Sequence, residues 1–325
     1  MKFILKNKKK IIDIAGKILT VLSLVFLVWS VKKTGMDLDM STHPGRFIFI
    51  FFIGIVLKTL SVFASAHGWS GFVSFFAKNA EKSSENRLNF KKRDAIRVYS
   101  KANIGKYLPG NVMHIIERNL YLSSVGIPQT DIALSSVFEI GAFLIGGFIL
   151  AILGGCFPYY VTLAASGALV LLSIAGLFVL RRFKPGFKKV SESPAFWKAA
   201  FICLFDDILT VVLLGIIMVL LHVSEDGFVT ITEFFRIVSG YAASWVAGFV
   251  TPGAPGGIGV RELALTYFLG PVIGEKEILT LSITHRLITI IGDFVAYGIG
   301  VLCLRNKADC DKILTENNDL NDQEV

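Results

Sequence analysis

The chain has 325 residues, of which 53% are apolar and only 18% charged, with a mean hydropathy of +0.63. A soluble domain carries roughly 25% charged residues, so this composition excludes a water-bathed globule and predicts an all-α integral membrane protein. The formal net charge of +8 leaves no nucleic-acid footprint, because the basic residues gather at the ends of apolar runs, as membrane topology requires.

The first apolar run, 11–31, follows Lys2, Lys6, Lys8, Lys9 and Lys10. It matches the ~20 residues a helix needs to cross the hydrocarbon core. VWSVKKTGMD after it offers no small-x-small cleavage site, so it reads as a retained span rather than a secretory signal. A second run, 47–76, carries Lys58 and His67. Lys58 is expected either to pair with an acid or to line a cavity, and His67 to be packed or interfacial. The connection that follows holds eight basic residues between Lys78 and Lys101. Segment 98–124 is apolar but broken at Pro109-Gly110, and the run 132–153 holds Glu139.

After the run 158–180 comes RRFKPGFKKVSESPAFWK, with six basic residues. The run 199–221 contains Asp206 and Asp207, which are expected to lie near enough to the cytoplasmic end to be wet. The stretch HVSEDGFVTITE is acidic; 234–272 is apolar but interrupted by TPGAPGGIG; and the run 278–304 carries His285, Arg286 and Asp293. The polar tail 309–325 is expected to be disordered. The four cysteines share no metal-ligand spacing, and neither a metal nor a cofactor is expected.

Parity decides the topology. If both broken segments enter and leave on one side, all three basic connections fall in the cytoplasm and the acidic stretch outside. If each crosses once, the connection after 158–180 faces outward with six basic residues. The expectation is therefore about six spanning helices plus two re-entrant helical hairpins, with both termini cytoplasmic at the plasma membrane. The membrane domain covers 1–308, and the tail 309–325 follows it.

The two broken segments resemble each other. A shift of 146 positions carries Pro109-Gly110 onto Pro255-Gly256, Ile116 onto Glu262, Glu139 onto His285 beside Arg286, and Gly146 onto Gly292. Halves of roughly 10–155 and 156–304, each with three full crossings, make an inverted-topology repeat, the plan of many transporters. Glu139 and Arg286 fall at matching depth, which predicts an interior ion pair or headgroup cradle between them.

Unwound backbone at membrane depth is tolerated only where it is buried in protein or lines a polar cavity. In Thr251–Glu262 the prolines Pro252 and Pro255 end helical hydrogen bonding, and Gly256, Gly257 and Gly259 permit close approach. A helix restarting near Ile258 aims its first amides back at the break, where an anion fits. Arg261 can grip a phosphate with its planar fork, and Glu262 can pair with Arg261 or with a basic residue elsewhere. The plainer alternative is a kinked hairpin with snorkelling charges.

These residues resemble a known family. KYLPGNVMHIIERNLYLSSVGIPQTDIALSSVFEIGAFLIG, VTPGAPGGIGVRELALTYF and LTLSITHRLITIIGDFVAYGIG are similar to the lysylphosphatidylglycerol synthase transmembrane region, or flippase-like domain. The most specific element is 255–262, and the resemblance extends over roughly 10–304. Tyr107-Leu108-Pro109-Gly110 with Arg118 resembles the first hairpin motif, and Glu139 sits where the family commonly has an acid. The family often follows that acid with arginine; here Ile140 follows. Related bifunctional enzymes join this module to a cytoplasmic domain that transfers lysine from tRNA to phosphatidylglycerol, whereas this chain resembles the membrane module alone.

The resemblance implies translocation of a lipid with a polar or anionic headgroup, such as an aminoacylated phosphatidylglycerol or an isoprenoid-phosphate-linked glycolipid. The substrate-binding set is then Pro109, Gly110, Arg118, Glu139, Pro255, Gly256, Gly257, Gly259, Arg261, Glu262 and Arg286. Two other readings stay open. A lipid-modifying enzyme of the phosphatidylglycerol lysyltransferase type could draw its base from Glu117, Glu139, His285 or Asp293, although no nucleophile set and no HExxH motif is present. An accessory membrane subunit of a lipid synthase or glycosyltransferase is the other, and self-association is left open.

Overall fold

The computed structural model describes residues 44–83, 91–107, 113–124, 126–155, 190–250 and 260–302, with single positions between 157 and 182. Every regular element among them is helical. In chain order these are α1 (Pro44–Ser83), α2 (Lys92–Ala102) with a 3-10 turn (Asn103–Tyr107), α3 (Met113–Ser124) and α4 (Gln129–Leu153). They are followed by α5 (Pro194–Asp226), α6 (Ile231–Val250), α7 (Val260–Ile273) and α8 (Glu275–Leu302). Within α1, α4, α5 and α8, the segments Pro44–Asn79, Gln129–Leu153, Pro194–Ser224 and Glu277–Leu302 are long and apolar enough to cross a membrane. They coincide with four of the expected runs. The runs 11–31 and most of 158–180, and the tail 309–325, lie outside the described residues.

Outward-facing stripes show what solvent these helices were selected for. Phe49, Phe52, Val56 and Leu60 on α1, and Phe201, Phe205 and Leu209 on α5, recur at three- and four-residue spacing and are exposed. A water-soluble bundle would bury such stripes, whereas hydrocarbon welcomes them. Inside, Phe72 of α1, Phe138 of α4 and Phe196 of α5 stack with ring centroids 5.0–5.8 Å apart. The buried core extends along α5 and α6 through Ile217, Met218, Leu221 and Tyr241.

Local sequence explains the helix ends. Pro194 begins α5, where its missing N–H costs nothing. Thr230 caps α6: its amide donates to Glu233 Oε2 at 2.8 Å, and its hydroxyl accepts from the Glu233 amide at 3.3 Å. The Thr230 amide, and the Thr230 hydroxyl donating to the same Oε2 at 2.8 Å, hold the Glu233 carboxyl below its usual range. The turns between α3 and α4 and between α7 and α8 each rest on a glycine with positive φ, Gly126 at 93° and Gly274 at 100°.

The helices pack in two matching sets. Exchanging α1 with α5, α2 with α6, α3 with α7 and α4 with α8 maps every extensive helix–helix contact among them onto another. Thus α8 on α1 matches α4 on α5, α2 on α8 matches α6 on α4, and α1 with α5 maps onto itself. Gly146 and Gly292, at the same repeat position, serve the same purpose. A Cβ on Gly146 would meet Ile208 of α5 at 2.9 Å, and one on Gly292 would meet Lys58 of α1 at 2.5 Å. Each of the two broken segments of the sequence is a pair of helices packed together, α2 with α3 and α6 with α7. The breaks themselves, 108–112 and 251–259, lie outside the described residues.

Candidate functional site

Among the interior charged side chains of the described residues, three groups involve residues of the expected binding set or their neighbours. In the first, Arg118 of α3 donates from Nη1 to both carboxylate oxygens of Glu139 of α4, at 3.0 and 2.8 Å. Its guanidinium also lies between the rings of Trp69 and Tyr99, 4.7 and 4.6 Å from their centroids. Both partners are almost fully buried.

The second group belongs to the other half. Arg286 Nη2 of α8 lies 2.6 Å from Glu262 Oε1 of α7, and this pair is about a fifth exposed. One residue earlier, Arg261 donates to the Tyr241 hydroxyl and rests over the Tyr241 ring, 4.7 Å from its centroid. Tyr241 in turn packs on the His285 ring, and His285 Nε2 lies 3.1 Å from the Leu214 carbonyl.

The third group surrounds Asp293, which is wholly buried. Lys58 approaches Oδ1 at 3.2 Å and Lys106 approaches Oδ2 at 2.6 Å. Asn103 and Tyr107 donate to the same carboxylate at 2.7 and 2.5 Å. Gly292 leaves room for the Lys58 stem to pass.

The expected pairing of Glu139 with Arg286 is not formed. Each instead pairs with the short helix that precedes its own, giving Arg118–Glu139 in one half and Glu262–Arg286 in the other, with the signs exchanged. The physical reason is proximity: α3 packs on α4 and α7 on α8, so a partner one tight turn away wins over one across the molecule. Glu262, the first-turn acid of α7, takes Arg286 rather than its neighbour Arg261. Arg118 also supplies the cation that Ile140 does not.

The expectation that Asp206 and Asp207 are wet is overturned, since they are 8% and 0% exposed. Asp206 is closed in by His67, whose Nδ1 lies 2.7 Å from it, while Lys92 lies 2.8 Å from His67 Nε2. His67 itself is interfacial, with its side chain nearly half exposed, and Lys58 has found an acid. Lys106, Asn103, Tyr107 and Tyr241 were given no site role from sequence, although Tyr107 was named in the first hairpin motif. The signal for the first three was adjacency to Pro109-Gly110; Tyr241, within SGYAAS, gave none. Pro109, Gly110, Pro255, Gly256, Gly257 and Gly259 lie outside the described residues.

The second and third groups form one electrostatic neighbourhood. The fields of Arg261 and Arg286 reach Tyr107 beside Asp293, and those of Arg261, Lys58 and Arg286 reach His285. Among the described residues of these two groups, Lys58, Lys106, Arg261 and Arg286 are four cations, against two carboxylates, Glu262 and Asp293. No carboxylate pairs with Arg261 among the described residues. The Nε atoms of Arg261 and Arg286 are buried with no hydrogen-bond acceptor among the described residues, whereas Nη2 of Arg286 is taken up by Glu262. Buried polar groups are nearly always satisfied, so unaccepted guanidinium donors beside excess positive charge suit the oxygens of an anion.

No family model matches the chain, and no curated protein matches it.

Proposed function

We propose that this chain moves a lipid with an anionic, phosphate-bearing headgroup between the leaflets of the plasma membrane. The observation that carries this reading is the local excess of cations around Glu262 and Asp293, with the Nε donors of Arg261 and Arg286 left unaccepted. An ionised side chain at bilayer depth costs ~2.5–3.5 kcal/mol on insertion scales. Four cations balanced by only two carboxylates are therefore a poor way to hold helices together and a good way to receive a phosphate diester. The matching helix contacts and the sign-exchanged ion pairs support an inverted repeat of about six spans and two re-entrant hairpins. In this reading the chain is a flippase-like membrane module with both ends of the sequence cytoplasmic, and its lipid is an aminoacylated phosphatidylglycerol or an isoprenoid-phosphate-linked glycolipid.

Topology is tested by single cysteines on an otherwise cysteine-free chain. One placed within 224–230 is expected to label from outside intact cells and one within 83–89 is not; the reverse pattern contradicts the inverted repeat. Function is tested by extracting the purified protein and weighing what comes with it. An anionic phospholipid or isoprenoid phosphate enriched over the bulk membrane is expected, whereas enrichment of zwitterionic lipid alone contradicts the proposal.

A further inference from the structure

Among the described residues, the buried carboxylates are Glu139, Asp206, Asp207 and Asp293. Three have a basic partner: Arg118 for Glu139, His67 for Asp206, and Lys58 with Lys106 for Asp293. Asp207 has none. Its side chain is wholly enclosed, Oδ1 meets no hydrogen-bond donor, and Oδ2 receives the Cys203 thiol at 3.4 Å, with the neutral Ser65 hydroxyl beside the carboxyl. From Pro194 to Asp207 is thirteen residues, about 20 Å along α5 at ~1.5 Å each.

The surroundings offer no other neutralising charge. Glu139 faces Asp207 from α4, already paired with Arg118 of α3, and the Tyr99 hydroxyl faces it from α2. On α5 itself the neighbours are Cys203 and Asp206, and from α1 come Ser65 and, through Asp206, His67. The helices α6 and α8 bring Tyr241 and His285 to Leu214, two turns further along. An unpaired carboxylate in such a place is far costlier than a neutral acid. A metal cation would find no ligand shell: the Ser65 and Thr210 hydroxyls bond each other at 2.9 Å, and Thr210 donates to the Ser61 carbonyl. No set of three His, Cys, Asp or Glu converges among the described residues.

A chain of polar contacts from the molecular surface reaches Asp206, one residue short of Asp207. Lys92 contacts Nε2 of His67, whose ring is nearly half exposed, and Nδ1 of the same ring contacts Asp206. Both ring nitrogens are therefore engaged in line, the arrangement in which an imidazole hands protons on.

We propose that Asp207 is a proton-binding site loaded through His67 and Asp206, and that its proton is the ion exchanged against the lipid, a coupling role that rests on the translocation reading. Loading moves the Nδ1 proton of His67 to Asp206 while Nε2 takes a proton from the Lys92 ammonium, which water reprotonates. The Asp206 O–H bond then breaks as an O–H bond forms on Asp207, and unloading reverses these steps. No oxidant, reductant or leaving group takes part.

The test uses the full chain in liposomes. Infrared spectra of the wild type are expected to show a protonated-carboxyl band at neutral pH that shifts in heavy water and is absent from Asp207→Asn, a substitution of equal size. In His67→Ala and Asp206→Asn the band persists but its deuterium shift slows. Absence of the band from the wild type, or its survival in Asp207→Asn, overturns the proposal. In the same liposomes, a pH gradient is expected to bias fluorescent phosphatidylglycerol across the bilayer for the wild type. Asp207→Asn should equilibrate the lipid without bias. Equal bias in both, or bias from a sodium gradient instead, overturns the coupling. If the wild type moves no lipid under any gradient, the translocation reading and the coupling fail together, and the infrared band alone decides whether Asp207 holds a proton.

Discussion

Replacing Glu139 with Leu is expected to cost about 3–5 kcal/mol of stability, the usual consequence of stranding one member of a buried ion pair. Arg118 would be left almost fully buried, with Nε already unaccepted and only the faces of Trp69 and Tyr99 to hold its charge. Those faces return about 0.5–2 kcal/mol, too little to offset the loss. Arg118→Met is expected to cost as much. The double variant Arg118→Met/Glu139→Leu is expected to regain most of the loss, because apolar replacement of a whole buried pair is often neutral or stabilising. Unfolding of the four proteins in mixed micelles closes the double-mutant cycle. Additive losses would show that the two side chains act independently, against the geometry.

Arg261 should behave in the opposite way. Its partners are the hydroxyl and ring of Tyr241, so Arg261→Ala strands no carboxylate and is expected to leave the fold nearly as stable. Its effect falls on the lipid. A charge-assisted hydrogen bond contributes about 1.5–3 kcal/mol, or roughly 10–100-fold in affinity. Arg261→Lys keeps the charge, loses the planar fork and is expected to fall between wild type and Arg261→Ala. Glu262→Ala instead deprives Arg286 of its ion-pair partner and is expected to destabilise the fold. The double variant Arg261→Ala/Glu262→Ala should therefore recover neither stability nor transport. Recovery of both would make Arg261 a structural partner and nothing more.

Membrane residence and the four described spans were legible because a helix in hydrocarbon must be continuous, long and apolar, which composition alone reveals. The matching close crossings at Gly146 and Gly292 were legible because such crossings demand a residue without a side chain, whereas Pro109-Gly110 and Pro255-Gly256 lie outside the described residues. Ion-pair partners were not. Glu139 could meet Arg118 or Arg286 on sequence alone, and only the packing of α3 on α4 and of α7 on α8 chose between them. Asp206 and Asp207 looked wet because distance along a helix says nothing of what covers it; α1 crosses there, with Gly68 close enough that a Cβ would lie 2.9 Å from Cys203 Cα. Lys106 was overlooked, and Tyr107 was given no role of its own, because the short turn that aims them at Asp293 has no periodicity to read.

The claim that interior cations receive an anionic headgroup is tested most directly by reconstituting purified protein into liposomes with fluorescent lipids, quenched from outside. Wild-type protein is expected to move phosphatidylglycerol much faster than phosphatidylcholine, with the preference reduced in Arg261→Lys and lost in Arg261→Ala. Equal rates for the two headgroups, or an undiminished preference in Arg261→Ala, would contradict it.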